Sequence, residues 1–289
     1  MKHVGSLILS IDGGGALGIG PCELLSRLEE AHGRLHPDAY AGTSVGALLA
    51  ALAATGRSWA QVREIFGREC PGIFEKPGLA WRLNPWKPKY DGKALRNAAQ
   101  FFFQDMRMCD VAVPIFLTSF DFKLGRPKIW DRGDTTPIWK AVMCSAAAPT
   151  YFPIVEGRYG DGGLVANNPS MVGLAGCVKK EGWDVDSLWC LSLGTNGDSW
   201  KDPKAGHKTK IGWLNPLLET FMSGAEELAT FESRSLLNGR LLRIEPHLRE
   251  EIKLDDVKAA LGGYRKVWKE LWLARHDEIL NWLANTCSL

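Results

Sequence analysis

Two short apolar runs, Leu7 to Ile11 and Ala39 to Gly42, each break into a glycine-bearing turn that opens directly into a helix-forming stretch. A strand that passes to a helix through a tight turn, and does so twice in succession, is the start of an α/β fold. The helix carries the chain back over the sheet, so that the next strand lies parallel to the last. The rest of the chain keeps this alternation. Pro21 suits the first turn of a helix running to His32, with Leu24, Leu25 and Leu28 as its buried stripe and Gly33 as its stop. Val45 to Ala54 predicts a small-residue helix, and Ser58 with Gln61 a capping box for another that ends near Gly67. Cys70 to Tyr90 holds Pro71, Pro77, Pro85 and Pro88 among Phe74, Trp81 and Trp86, and is expected to be irregular. Asp91 is the expected cap of a helix through Phe103. Val113 to Phe122 and Lys128 to Trp130 read as strands joined by a turn, and Thr136 to Ala147 as a helix. Leu188 to Leu193 and Leu241 to Ile244 read as further strands. After Leu254 the pattern is helical, with Val257, Leu261, Tyr264, Trp268, Leu271 and Trp272 on one stripe. No repeat or linker divides the 289 residues. The expectation is one domain over residues 1–289, a three-layer α/β/α sandwich with a mostly parallel central sheet.

Composition narrows the function. A net charge of +2, with both signs spread along the chain, gives no nucleic-acid footprint. The seven cysteines are odd in number and form no C-x-x-C pair, which argues against a disulfide framework and a thiolate zinc site and for a reducing compartment. The N-terminus lacks a signal-peptide pattern, and the longest apolar run, Val45 to Ala54, falls well short of the roughly 20 residues that span a bilayer. The expected location is cytoplasmic, with contact at a membrane surface left open.

Three motifs carry the chemistry. Asp12-Gly13-Gly14-Gly15-Ala16-Leu17-Gly18 follows a strand and opens a helix. Its glycines let backbone N–H groups converge on negative charge. Such a loop can serve as an oxyanion hole, as a pyrophosphate cradle or as a plain turn. The dinucleotide fingerprint wants an acid ending the second strand, and here Asp38 precedes it. Gly42-Thr43-Ser44-Val45-Gly46 is G-x-S-x-G between strand and helix, the setting of a nucleophile elbow, although a chain with 31 glycines can hold that pentapeptide by chance. Asp161-Gly162-Gly163 is, by itself, a turn signal.

A serine hydroxyl needs an adjacent base, most often histidine. None of His3, His32, His36, His207, His247 and His276 has a distinctive local setting, and His207 lies in a Lys-rich loop.

Taken in order, DGGGALG at Asp12–Gly18, GTSVG at Gly42–Gly46, SAAAPTYFP at Ser145–Pro153, DGGLVANNP at Asp161–Pro169 and LSLGTN at Leu191–Asn196 resemble the patatin-like phospholipase family. The resemblance covers about residues 8–196; the helical part from about 200 to 289 matches no motif. It implies a patatin-like fold and a serine hydrolase acting on lipid esters through a Ser–Asp dyad and an acyl-enzyme. It assigns Ser44 as nucleophile, Asp161 as base and the N–H groups of Gly13, Gly14 and Gly15 as oxyanion hole, with no cofactor and no metal. Many family members have a basic residue where this chain has Leu17.

Other readings remain at this stage. One is an α/β-hydrolase with a Ser44–Asp161–His207 triad; others are a nucleotide-binding protein and a non-catalytic interaction module. The expected partner is a phospholipid or other lipid ester. Phe74, Trp81 and Trp86 with Arg82, Lys87 and Lys89 could form a lid or interfacial patch, or else a packed loop.

Overall fold

The computed structural model describes residues 5–195, 214–248, 250 and 252–286. Its strands are β1 (Ser6–Ile11), β2 (Ala39–Gly42), β3 (Ile115–Asp121), β4 (Arg126–Trp130), β5 (Tyr159–Asp161), β6 (Leu188–Leu193) and β7 (Leu241–Ile244). They form a seven-stranded sheet in the order β4-β3-β2-β1-β6-β7, with β5 paired to β3 off that path. Neighbours from β3 to β7 run parallel, while β4 and β5 run antiparallel to β3. The register sets Ile11 opposite both Gly42 and Leu193, and Gly42 opposite Leu117. With Leu193 opposite Ile244, the C-terminal ends of β1, β2, β6 and β7 are level, while β3 runs on past Leu117 to Asp121; in an open α/β sheet this is the edge where sites form.

Helices α1 (Ile19–His32), α2 (Val45–Ala54), α3 (Trp59–Ile73), α5 (Lys93–Phe103), α6 (Ile138–Ser145) and α11 (Arg265–Ala284) share one core with Leu7, Leu9 and Ile11 of β1; the single turn α4 (Leu79–Arg82) buries none of its residues. The alternate residue Ile8 faces the other side and packs with Leu174 and Cys177 of α8 (Ser170–Glu181) and Leu237 of α9 (Leu214–Leu237). Two short turns, α7 (Gly163–Ala166) and α10 (Val257–Ala259), complete the set. A strand whose alternate residues are both buried needs cover on both faces, so the three layers follow from β1 itself.

The structure departs from the sequence expectations in places. α3 continues through Pro71 to Ile73, because Phe66, Cys70 and Ile73 fall on one buried stripe whose burial outweighs the missing N–H. The cap of α5 is Gly92 at φ 73°, and Asp91 instead accepts from Lys93 N at 2.9 Å. β4 begins at Arg126 and includes Pro127, which an edge strand tolerates. β5, α8 and α9 lie where no element was expected. The C-terminal stripe is present, with Tyr264, Trp268 and Trp272 buried, but its path is α10, a π turn at Ala260–Tyr264, and α11. Cys22, Cys70, Cys144, Cys177 and Cys190 are buried free thiols, whereas Cys109 is exposed.

Candidate active site

Ser44 stands in the turn between β2 and α2 at φ 54°, ψ −120°, a backbone conformation that a residue with a Cβ rarely adopts. The turn is held open from several directions. Ser44 N–H donates to Ser145 Oγ at 2.8 Å, and Thr43 Oγ1 donates to the Ala166 carbonyl at 2.6 Å while lying 2.7 Å from Thr118 Oγ1. Gly46 has no alternative, since a Cβ there would stand 2.1 Å from the Ile11 carbonyl oxygen. The tight turn therefore needs glycine at its far end for close approach to β1.

Asp161 reaches the same end of the sheet through β5. β2 pairs with β3 only as far as Leu117, and β5 then pairs with β3 from Ser119 to Asp121, which sets Asp161 opposite Ser119. The Asp161 N–H donates to the Ala147 carbonyl and Gly162 N–H to the Ser145 carbonyl. Ser145 thus holds both sides, accepting from Ser44 through its hydroxyl and from Gly162 through its carbonyl. The Asp161 carboxyl is buried. Its Oδ1 accepts from Gly163 N at 2.6 Å and its Oδ2 has no hydrogen-bond partner. Burial raises its pKa to about 6, against the opposing pull of the Gly163 N–H and of the Ser44 hydroxyl. The hydroxyl is thus near enough to act on the carboxyl, although no hydrogen bond joins the two.

The glycine loop adjoins both. A Cβ on Gly13 would stand 3.3 Å from Ser44 Cβ and 2.5 Å from Asn167 Oδ1, and that same amide oxygen lies 3.3 Å from a Cβ placed on Gly163. Gly15 has φ 56°, which only glycine adopts without cost, and a Cβ there would meet the Leu254 carbonyl oxygen at 2.4 Å. The three N–H groups are not equivalent. Gly13 N–H donates to the Asn167 carbonyl at 3.2 Å, and the next one along, Ala16 N–H, to the Leu254 carbonyl at 2.7 Å. Among the described residues, Gly14 and Gly15 N–H groups carry no hydrogen bond.

Behind the loop lies an ionic cluster that the sequence did not signal. Arg243 on β7 donates to both oxygens of buried Asp12 (2.6 and 3.0 Å), to Ser192 Oγ (2.9 Å) and to Glu226 of α9 (2.8 Å), with Glu245 3.1 Å away. Glu226 in turn accepts from Asn167 Nδ2 at 2.9 Å. Burial works against the Arg243 charge, but Asp12, Glu226 and Glu245 outweigh it and hold the guanidinium protonated. Thr195 Oγ1 donates to the Gly13 carbonyl, and Tyr264 OH to the Thr195 carbonyl at 2.6 Å. Residues from the motif-free C-terminal part therefore clamp the loop.

The remaining candidates fall elsewhere. His32, His36 and His247 are exposed, His276 is half-buried against Trp272, and none bonds to Ser44 or Asp161. His207 and Asn196 lie outside the described residues. Asp38 accepts from Leu7 N at 2.7 Å, at the opposite end of β1 from the glycine loop. Leu17 is buried, with apolar surroundings in place of a cation. Phe74 packs against Tyr90 and Phe152, and Trp81 donates to the Pro88 carbonyl; of the three aromatic patch candidates only Trp86 projects freely. No described helix is long and apolar enough to cross a membrane.

Comparison with known proteins gives the family and the fold. The sequence profile of the patatin-like phospholipases matches residues 9–173. The chain is 28% identical over 226 residues to a "cGAMP-activated phospholipase" of Escherichia coli (strain TW11681), covering 67% of this chain and 63% of that protein. It is 29% identical over 263 residues to "Probable inactive patatin-3-Kuras 1" of Solanum tuberosum, covering 73% and 69%. Among solved structures, VipD from Legionella pneumophila superposes with a TM-score of 0.52 at 13% identity, over 94% of this chain and 67% of that one, a likeness of fold. The chain spans less than two thirds of the length of the first of these relatives. With a profile match over more than half its residues, the chain belongs to the patatin-like phospholipase family.

Proposed function

We propose that this chain is a lipid acyl hydrolase that cleaves carboxylic esters of phospholipids or related lipids through Ser44 and Asp161. The observation that supports the reading most is the Asp161 carboxyl: buried, with one oxygen unpartnered, a pKa pushed up to about 6, and the Ser44 hydroxyl close enough to perturb it. A carboxylate in water is too weak a base for a serine hydroxyl, and burial moves it toward useful strength at neutral pH.

In this mechanism Asp161 takes the Ser44 proton as Oγ bonds to the ester carbonyl carbon and the carbonyl electrons move onto oxygen. The Gly14 and Gly15 N–H groups stabilise that oxyanion, each donor contributing about 3 kcal/mol. Gly13 N–H would join them only by leaving the Asn167 carbonyl. Collapse breaks the ester C–O bond, and the leaving alkoxide takes the proton from Asp161, leaving the acyl group on Ser44. Water then attacks with Asp161 again as base, releasing the carboxylic acid and the serine. No step calls on a metal or cofactor. Peripheral contact with a membrane is part of the same reading.

Labelling by a fluorophosphonate, run beside hydrolysis of a dissolved short-chain ester, tests the proposal. Ser44→Ala abolishes labelling, and both Ser44→Ala and Asp161→Asn lower kcat/KM by about 10³-fold or more. Full activity in either variant refutes the dyad. His207→Ala keeps its activity if Asp161 is the base, and loses it if a triad operates.

A further inference from the structure

The segment from Lys76 to Tyr90 carries four cations, Lys76, Arg82, Lys87 and Lys89, and no acid. Within it α4 and the turn that follows expose Leu79 (66%), Leu83 (73%) and Trp86 (92%), more completely than side chains of this kind are left by ordinary packing. Leu79 and Leu83 are four residues apart and share one face of the turn. The segment is nonetheless built, not loose. Leu83 N–H donates to the Leu79 carbonyl at 3.0 Å, Lys87 N–H to the Asn84 carbonyl at 3.1 Å, and Trp81 Nε1 to the Pro88 carbonyl at 2.8 Å. Lys87 Nζ lies 4.7 Å from the centre of the Trp81 ring.

Its C-terminal end is tied to the candidate site. Lys89 and Tyr90 N–H groups donate to the Thr150 and Tyr151 carbonyls, both at 2.8 Å, within the same Ser145–Pro153 block whose Ser145 holds the Ser44 turn. Lys89 Nζ pairs with Asp255, whose carboxylate also accepts from Tyr90 OH at 2.5 Å. The residue before it, Leu254, supplies the carbonyl that fixes Ala16 of the glycine loop. Lys76 and Arg82 are exposed and, among the described residues, are in no ion pair.

We infer that this segment is a docking surface for an anionic lipid bilayer, with Leu79, Leu83 and Trp86 entering the headgroup boundary and Lys76, Arg82 and Lys87 facing lipid phosphates. Apolar tips ringed by cations and free of acids match a surface that is apolar within and negative outside. An amphipathic ring such as Trp86 belongs at that depth. The inference takes its purpose from the lipid-hydrolase reading, but its test does not require hydrolysis.

The test is co-sedimentation of the full chain, carrying Ser44→Ala so that vesicles are not consumed, with vesicles of phosphatidylcholine alone or with about one quarter phosphatidylglycerol. Binding is expected to favour the anionic vesicles and to fall with added salt. Lys76→Gln and Arg82→Gln each weaken it about fivefold, and about 30-fold together, on anionic vesicles. Trp86→Ala with Leu83→Ser weakens it by at least about tenfold. On an otherwise wild-type chain, the Trp86→Ala and Leu83→Ser substitutions leave hydrolysis of a dissolved short-chain ester unchanged. Equal binding of wild type and these variants overturns the inference, as does equal binding to both vesicle types at all salt concentrations. So does a concentration-dependent dimer that Trp86→Ala dissociates. A chain that docks in this way yet hydrolyses no ester loses the enzymatic proposal and keeps the surface.

Discussion

Replacing Asp161 by Asn should make the protein more stable while removing its activity. The carboxyl is buried, and its pKa is raised from an ordinary 3.8 to about 6, with burial as the first cause. A group whose pKa is raised on folding favours the folded state when protonated and opposes it when ionised. At pH 7 it is ionised in both states, and the gap between 3.8 and about 6 corresponds to a cost of about 3 kcal/mol. Between pH 6 and pH 4 the folded chain takes up the proton first and the cost fades; below pH 4 both states are protonated and none remains. Asn keeps an oxygen to accept from Gly163 N, but sets an amide NH₂ where Oδ2 has no partner, which offsets about 1 kcal/mol of the gain. The net expectation is about 2 kcal/mol at pH 7, or a rise in Tm of roughly 3 °C. Urea unfolding of both proteins at pH 7 and again at pH 4 measures it, with Asp161→Asn the more stable at the first pH and, once only the amide cost remains, slightly the less stable at the second. A destabilised Asp161→Asn at pH 7, or a gain equal at both, would show that the carboxylate is not the strained base described here. Stability stored against function in this way is a common property of active sites.

Three other perturbations probe the same arrangement. If Asp161 must be ionised to act, kcat/KM on a dissolved ester rises about tenfold from pH 5 to pH 7 and levels above it; a profile flat across that interval contradicts the base assignment. Ser145→Ala removes the acceptor of the Ser44 N–H, so it should cost about 1–2 kcal/mol in urea unfolding and lower kcat with little change in KM; an unaltered kcat would show that the elbow holds itself. Arg243→Met leaves Asp12 and Glu226 without their shared cation and is expected to cost about 3–5 kcal/mol, part of it recovered in the double variant with Asp12→Asn; an additive double variant would deny the coupling.

What could be read from the sequence was what local chemistry fixes. The runs around Leu7 and Ala39, the glycines after them and the capping box at Ser58 gave the strands, turns and helices that carry Ser44 and the glycine loop. Asp161 was legible as a residue but not as a place: three residues of β5 are too few to show a period, and their position depends on the edge of β3 left free beyond Leu117. α8 escaped notice because its packing face includes Gly173 and Gly176, which lie against Ala41 and Phe116 where a side chain would not fit, so the helix shows no apolar stripe. Asn167, within the DGGLVANNP block, read as part of a motif and not as the group joining the glycine loop to α9. The Arg243 cluster left no trace in sequence, because Asp12 and Arg243 stand 231 residues apart and nothing around Arg243 marks it as the partner of a motif residue.

The family profile ends at residue 173, yet the loop it begins with is held by residues beyond that point. Three consecutive glycines lose more conformational freedom on ordering than any other tripeptide, so the loop cannot be expected to hold a donor geometry by itself. Here Thr195 grips the Gly13 carbonyl, Leu254 takes the Ala16 N–H, and Arg243 fixes Asp12 while joining, through Glu226, the amide of Asn167. Tyr264 secures Thr195 from the start of the last helical stretch. These ties leave the Gly14 and Gly15 N–H groups fixed in direction and free of hydrogen bonds among the described residues, which is the condition under which donors stabilise a developing oxyanion without reorganising. The part of the chain with no recognisable motif thus helps to hold the glycine motif rigid, through the Arg243 cation, the Leu254 carbonyl and the Tyr264 hydroxyl.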